Sequence, residues 1–213
     1  MRTCIIAVRP SAVQWRSGSL VVRAPVRIRS TRRATKIIDA VVRSHSITIE
    51  AWVGIADAKQ EGPARIVTLS LNGRQRNFTL GQDGGEFDVR FLTNKTSRNG
   101  QPSTHTRKGV IRPNRLYHVV YTRQKSGRAR IYINGKSVAS RRVVGKPSNW
   151  FRSYNLILAN ENRDSRPWRG TYHLVAVYGT SLTAGEVKRN FAAGANVAGG
   201  VTRSRPSKLA LDF

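Results

Sequence analysis

The residues with the clearest capacity for chemistry in this sequence are its arginines and lysines. Between Asp88 and Glu161 there are sixteen of them and no Asp or Glu. They gather in two polar stretches: Arg107, Lys108, Arg112 and Arg115 in the first, and Arg141, Arg142, Lys146 and Arg152 in the second. Trp150 and Phe151 stand beside Arg152. A guanidinium is a planar fork of N–H donors that meets an oxyanion at two points, and an aromatic face close by offers a stacking platform. An N-terminal cluster, Arg23, Arg27, Arg29, Arg32, Arg33 and Lys36, repeats the pattern. So do Arg163, Arg166 and Arg169 near the end of the chain, and Arg203 and Arg205 in its tail. These residues and Trp150 are the candidate contacts to a polyanion.

Other chemistries find less support. Glycoside hydrolysis needs two carboxylates flanking the scissile bond. Glu86 and Asp88 begin such a pattern, but Arg90 follows and no further acid completes it. His45, His105, His118 and His173 are scattered, and Cys4 is the only cysteine, so neither a disulfide nor a thiolate metal site is available within the chain. Glu161 and Asp164 have the oxygen chemistry of a calcium site, yet Arg163 and Arg166 surround them. The sequence therefore predicts no enzyme, no metal and no cofactor.

Composition sharpens the question. Lys and Arg number 38 against 11 Asp and Glu, a formal charge of +27 with a pI near 11.7. Such a surface repels itself unless a polyanion neutralises it. Nucleic acid is the first expectation; acidic polysaccharide and anionic lipid are the others. No apolar run approaches the ~20 residues of a membrane-spanning helix. The opening MRTCIIAVRP is a poor secretory signal, and its Arg- and Ser-rich, acid-free continuation to Lys36 has the composition of an organelle transit peptide.

The elements that must position these residues are mostly strands. Ile47 to Val53 alternates with period two, and Ala64 to Leu71 and Leu116 to Thr122 read as further strands. Arg76 to Leu80 and Phe87 to Leu92 flank a Gly-containing turn. Arg128 to Ile133 and Lys136 to Ser140 flank Asn134-Gly135, the dipeptide of a type I′ hairpin. Leu20 to Ile28 reads as a first strand, weakened by Pro25. Tyr172 to Tyr178 is a buried strand. It is followed by a capped helix with Thr183 as N-cap, Glu186 closing a capping box, Leu182 and Val187 as a staple, and Gly194 as the stop. Residues 1–19 read as a basic extension, 20–196 as the domain and 197–213 as a basic tail. Strands at this spacing with one late helix indicate a two-sheet sandwich.

The segments ATKIIDA, SITIEAWV, GPARIVTLS, RNFTLGQ, LYHVVYTR, ARIYINGKSVAS, LILANE and RPWRGTYHLVAVY, with the helix after them, resemble the bacterial-type laminin-G-like (LamG) domains of the concanavalin A-like lectin/glucanase class. The resemblance implies an all-β jelly-roll sandwich of two antiparallel sheets with one short C-terminal helix. It also implies a non-catalytic, often carbohydrate-binding module on secreted or surface proteins, sometimes with calcium. Gln124-Lys125 stands where the family commonly has an acid, and Arg169 where it has an apolar residue. Weighing charge against resemblance, the sequence predicts an RNA-binding structural subunit of a large ribonucleoprotein, a mitochondrial ribosomal protein above all, contacting rRNA and neighbouring proteins. The alternative expectations are an extracellular lectin-like module for acidic glycans and an accessory subunit of another large assembly. Neither a membrane nor a small-molecule substrate is expected as partner.

Overall fold

A computed structural model of the protein describes residues 4–60 and 62–195 and the backbone strand at 208–212. Along the chain run β1 (Ile5–Ala7), β2 (Val13–Arg16), β3 (Ser19–Val22), β4 (Ile28–Arg33), α1 (Thr35–Ser44), β5 (Ile47–Ile55), β6 (Ala64–Asn72), β7 (Gln75–Asp83) and β8 (Glu86–Phe91). Then come β9 (Thr104–His105), β10 (Arg115–Arg123), β11 (Arg128–Ile133), β12 (Lys136–Arg142), β13 (Asn155–Leu158), β14 (Gly170–Tyr178), α2 (Ala184–Ala193) and β15 (Lys208–Asp212). One sheet has the order β1-β4-β13-β6-β7-β8-β9. The larger has the order β12-β11-β10-β5-β14-β3-β2, and β15 joins it beside β14. All pairings are antiparallel, so the expected jelly-roll sandwich is the fold.

The core lies between the sheets. On β5 the residues Ile47, Ile49, Ala51, Val53 and Ile55 point into it, facing Phe78, Leu80, Phe87 and Val89 of the other sheet, with Trp168 and Tyr172 filling one end. The even positions Thr48, Glu50 and Trp52 are buried too, because α2 covers that outer face. Thr183 and Glu186 form the reciprocal capping box, and Leu182 and Val187 are buried with Val120, Tyr132, Ala176 and Tyr178 beneath the helix. Gly194 closes α2 at φ 83°. The hairpin at Asn134-Gly135 has both φ values positive, 49° and 76°, as a type I′ turn requires.

Three features differ from expectation. Leu20 to Ile28 is two strands in two sheets, β3 and β4, separated at the Pro25 turn. Residues 1–19 carry β1 and β2, which pair with β4 and β3, so this stretch is woven into both sheets. Ile37 to Val42 belongs to a second helix, α1, whose Ile37, Ile38, Ala40 and Val41 are buried on one face. Its β-branched run favours a strand locally, and packing against the sandwich overrides that preference. Gly179 admits this helix: a Cβ there would lie 2.5 Å from Ala40 Cβ.

Several arginines are built into the scaffold. Arg123 is fully buried, donating to the carbonyls of His45 (2.7 Å) and Val143 (2.9 Å), with its guanidinium 5.0 Å from the Phe91 ring centroid. Burial pushes its pKa down. Arg65 pairs with Glu161 at 3.3 Å, both buried, and burial lowers its pKa to about 10 despite the partner. Arg76 donates to Thr79 Oγ1 at 3.1 Å; burial and the neighbouring Arg65 and Arg90 lower it to about 9.

Candidate functional site

The outer face of the larger sheet is open at the end opposite α2. Strand register places Leu116, Gly54, Thr171, Val21 and Gln14 in one cross-strand row there, on the face away from the core side chains Val53 and Tyr172. Gly54 has no side chain and makes the low point of the row; a Cβ on it would approach Thr171 Cβ to 3.3 Å. The result is an open cleft of about 600 Å³. Its floor is Val21, Gly54 and Leu116, and its walls carry Arg23, Arg115, Arg169, Asn114, Thr171 and His173.

Each wall residue is placed by its backbone. Arg115 begins β10 opposite Ile55, and Asn114 before it takes φ 57°, with its N–H on Ile55 O at 2.7 Å. Arg169 precedes β14, held by its N–H to Gln60 Oε1 at 2.6 Å, and its guanidinium lies 3.9 Å from Asp57. Arg23 donates to Gln14 Oε1. His173 is the extra residue of a β-bulge in β14 and lines the cleft; its half-burial lowers its pKa, against a hydrogen bond with the Gly18 backbone that raises it. Three guanidinium groups against one carboxylate leave the cleft cationic.

Of the sequence candidates, this cleft brings together Arg23, Arg115 and Arg169. Arg107, Lys108 and Arg112 are exposed on the loop leading to it, which is pinned by Ile111 N–H on Gly85 O and Arg112 N–H on the Tyr117 hydroxyl. Arg27 is committed to Asp164 (3.5 Å) and the Asn162 carbonyl; Arg163 is exposed on that loop and Arg166 is half-buried over Gly62. Arg29, Arg32, Arg33 and Lys36 are exposed along β4 and the start of α1. Arg152 is paired with Asp39 of α1 at 2.6 Å, and Lys146 is exposed on the loop before it. Arg141 and Arg142 lie on β12, away from the cleft. Arg203 and Arg205 lie outside the described residues.

Trp150 is a correction. It is buried between Phe78 and Phe91, with Nε1 donating to Leu92 O at 2.9 Å, and has no face to offer a ligand. A tryptophan in a polar loop is still the largest apolar side chain available to plug the open end of a sandwich. Sequence reasoning missed Asn114, Thr171 and His173, which the register and the bulge bring to the arginines. Among the described residues no group of three or more His, Cys, Asp or Glu is placed to hold a metal. The carboxylates considered for calcium are engaged, Glu161 by Arg65 and Asp164 by Arg27.

A two-sheet antiparallel jelly roll with a polar cleft on one sheet face is the architecture of the concanavalin A-like class. The chain belongs to the concanavalin A-like lectin/glucanases superfamily, with residues 30–188 matching its laminin-G family profile. No curated protein sequence matches it. Solved structures of similar fold include one of botulinum neurotoxin type C concerned with its interaction with two ganglioside molecules. It has a TM-score of 0.62 and 16% identity over 90% of this chain and 46% of that one. The serotype D binding domain is similar at TM-score 0.59 and 11% identity, over 90% and 47% of the two chains. A heptameric SAP-like pentraxin from Limulus polyphemus follows at 0.53 and 15%, over 79% and 80%. The chain spans about half the length of the neurotoxin chains, and at these identities the likeness is one of fold.

These findings overturn the expectation of a mitochondrial ribosomal protein bound to rRNA and its protein neighbours. The matched family is that of concanavalin A-like lectins and glucanases, and the solved structures share that fold. The physical error lay in counting every arginine as surface charge. Arg65, Arg76 and Arg123 are inside the molecule, and Arg27, Arg152 and Arg169 face carboxylates. Among the described residues no helix is long and apolar enough to cross a membrane.

Proposed function

We propose that this domain is a non-catalytic, extracellular lectin-type module that holds an acidic glycan in the cleft of Arg23, Arg115 and Arg169. The observation that carries the reading is the pairing of an apolar floor with a cationic, hydrogen-bonding wall. Leu116 and Val21 suit the C–H face of a sugar ring. Asn114, Thr171 and His173 suit its hydroxyls, and the guanidinium forks suit a carboxylate or sulfate substituent. The family, and the similar fold of a neurotoxin structure concerned with ganglioside interaction, support glycan binding over rRNA binding. Catalysis has no counterpart in the cleft: Asp57 is its one carboxylate and faces Arg169, whereas glycosidases use two.

Titration of the protein with size-matched neutral, carboxylated and sulfated oligosaccharides tests the reading. Acidic sugars are expected to bind and to weaken as salt rises, because exposed charges are screened within about 8 Å at physiological ionic strength. Neutral sugars are expected to bind far more weakly. Equal binding of all three, or acidic binding unaffected by Arg115→Ala and Arg169→Ala together, would overturn it.

A further inference from the structure

The far end of the same sheet carries a second arrangement of arginines. In the β11–β12 hairpin, Arg128 and Arg142 are direct cross-strand partners. Like charges in that relation repel and cost stability unless something lies between them. Next to them on the same face are Arg130 and its partner Ser140, two residues along. This is the outer face, shared with Val120 and Tyr132 under α2. The strand partners of Ala129 are Arg123 and Arg141, and the inward Arg123 has its own carbonyl ligands.

A cleft of about 440 Å³ opens here, lined by Gln124, Ser126, Arg128, Ser140, Arg141 and Arg142. By register Arg128, Arg142 and Ser140 share the outer face, while Arg141, opposite Ala129, faces the other side; the lining includes neither a carboxylate nor an apolar residue. None of these arginines is in an ion pair among the described residues, and the sequence has no acid from Val89 to Asn160 to supply one. The walls are rigid: Gln124 N–H meets Arg128 O at 2.9 Å and Val143 N–H meets Gly127 O at 2.8 Å. Gly127, at φ 87°, allows that turn, since a Cβ would come within 2.7 Å of Val143 O.

We infer that the Arg128–Arg142 edge is a second anion-binding site, built for the sulfate ester of a sulfated glycan. Forked donors match a tetrahedral oxyanion in two-point contacts, and the hydroxyls and amide complete its shell. With no apolar residue in its lining, the site suits a charged substituent better than the face of a sugar ring. Leu116 of the first cleft and Gln124 of this one are eight residues apart along β10 and its continuation, roughly 26 Å. The two sites are therefore separate, and a long sulfated chain engages both. The inference deepens the acidic-glycan reading in naming sulfate, but the edge site stands on its own geometry.

Two probes on the full chain test it. With inorganic sulfate, the wild type is expected to gain thermal stability that Arg128→Ala/Arg142→Ala lacks, while the variant itself melts no lower than wild type without sulfate. With a heparin-derived dodecasaccharide, the same variant is expected to bind about tenfold more weakly, the loss of a two-point charged contact. Arg128→Lys/Arg142→Lys, which keeps charge and loses the fork, is expected to fall between. Equal sulfate stabilisation of wild type and variant, or undiminished dodecasaccharide binding, would overturn the site. So would stronger loss for a phosphorylated polymer, such as single-stranded RNA, than for the sulfated chain. If Arg115→Ala/Arg169→Ala binds normally while the edge variant fails, the first cleft is wrong and the edge site stands; the converse pattern leaves the cleft and removes the edge.

Discussion

Nε2 of His118 lies 2.8 Å from Oε1 of Glu50 on the outer face of the larger sheet, both side chains buried. The Tyr178 hydroxyl donates to the other carboxylate oxygen at 2.8 Å, and the Asn190 amide of α2 reaches both. One carboxylate thus joins β5, β10, β14 and the helix. Trp52, His118 and Phe191 stack above it with centroids 4.8 to 5.9 Å apart.

The anchor makes α2 sensitive to acid. Burial raises the Glu50 pKa, but the hydrogen bonds and charge of His118, helped by Tyr178 and Asn190, outweigh it and hold the carboxyl below its ordinary 4.5. A carboxyl depressed in the folded state contributes stability above its unfolded pKa and loses it as pH falls through the folded value. Glu50→Gln is expected to cost about 1–3 kcal/mol at neutral pH and to flatten the acid limb of the melting-temperature profile below pH 4.5. A variant with the wild-type acid limb contradicts this assignment.

Arg123 is expected to be irreplaceable by lysine. Its fork reaches carbonyls at the C-terminus of α1 and in the loop after β12, which a single ammonium cannot span. Arg123→Lys should cost about 2 kcal/mol in chemical denaturation, as charged hydrogen bonds to buried carbonyls are lost. An unchanged midpoint would show that the fork is dispensable.

The Arg65–Glu161 pair predicts an asymmetry. Arg65→Met leaves a carboxylate buried without its partner and should destabilise by about 3–5 kcal/mol. The double change Arg65→Met/Glu161→Leu removes both charges and should recover most of that loss. Additive losses in the double-mutant cycle would mean that the two groups do not interact.

Gly170 is expected to tolerate no side chain. A Cβ there would lie 2.3 Å from Trp168 Cη2 and 2.4 Å from Gly54 O. Gly170→Ala should lower stability by about 1–3 kcal/mol through overpacking and weaken glycan binding, since Gly170 lines the cleft between Arg169 and Thr171. Gly54→Ala, with a 3.3 Å approach to Thr171 Cβ, should cost less stability than Gly170→Ala, and serves as the comparison for stability alone because Gly54 also floors the cleft.

The sequence is most readable where local chemistry and global fold agree. The capping box at Thr183, the Asn134-Gly135 turn and the alternation in ITIEAWV all have a local physical cause, and each appears in the structure as read. Reading fails where distant residues decide. Ile37-Ile38 and Val41-Val42 are β-branched residues with an extended local preference, and packing of the sandwich beside Gly179 sets them in a helix. Arg123 follows Tyr117, Val119 and Tyr121 at inward positions of β10, so alternation alone marked it as buried, but an arginine there looked like surface. The cleft was half visible. Its arginines stood out by charge, whereas Asn114, Thr171 and His173 joined them only through strand register and a bulge.

The outer edge of β14 is shared by opposite ends of the chain. Gly170–Tyr172 pairs with β3, and beyond the His173 bulge Leu174–Tyr178 pairs with β15. β15 and β3 thus lie end to end against one strand, Asp212 opposite Leu174 and Leu20 opposite Tyr172, like two halves of a zip meeting at a stop. In place, β15 covers that edge of β14. Stripping β15 away would instead bare a row of backbone donors and acceptors, an invitation to the same strand of a second molecule.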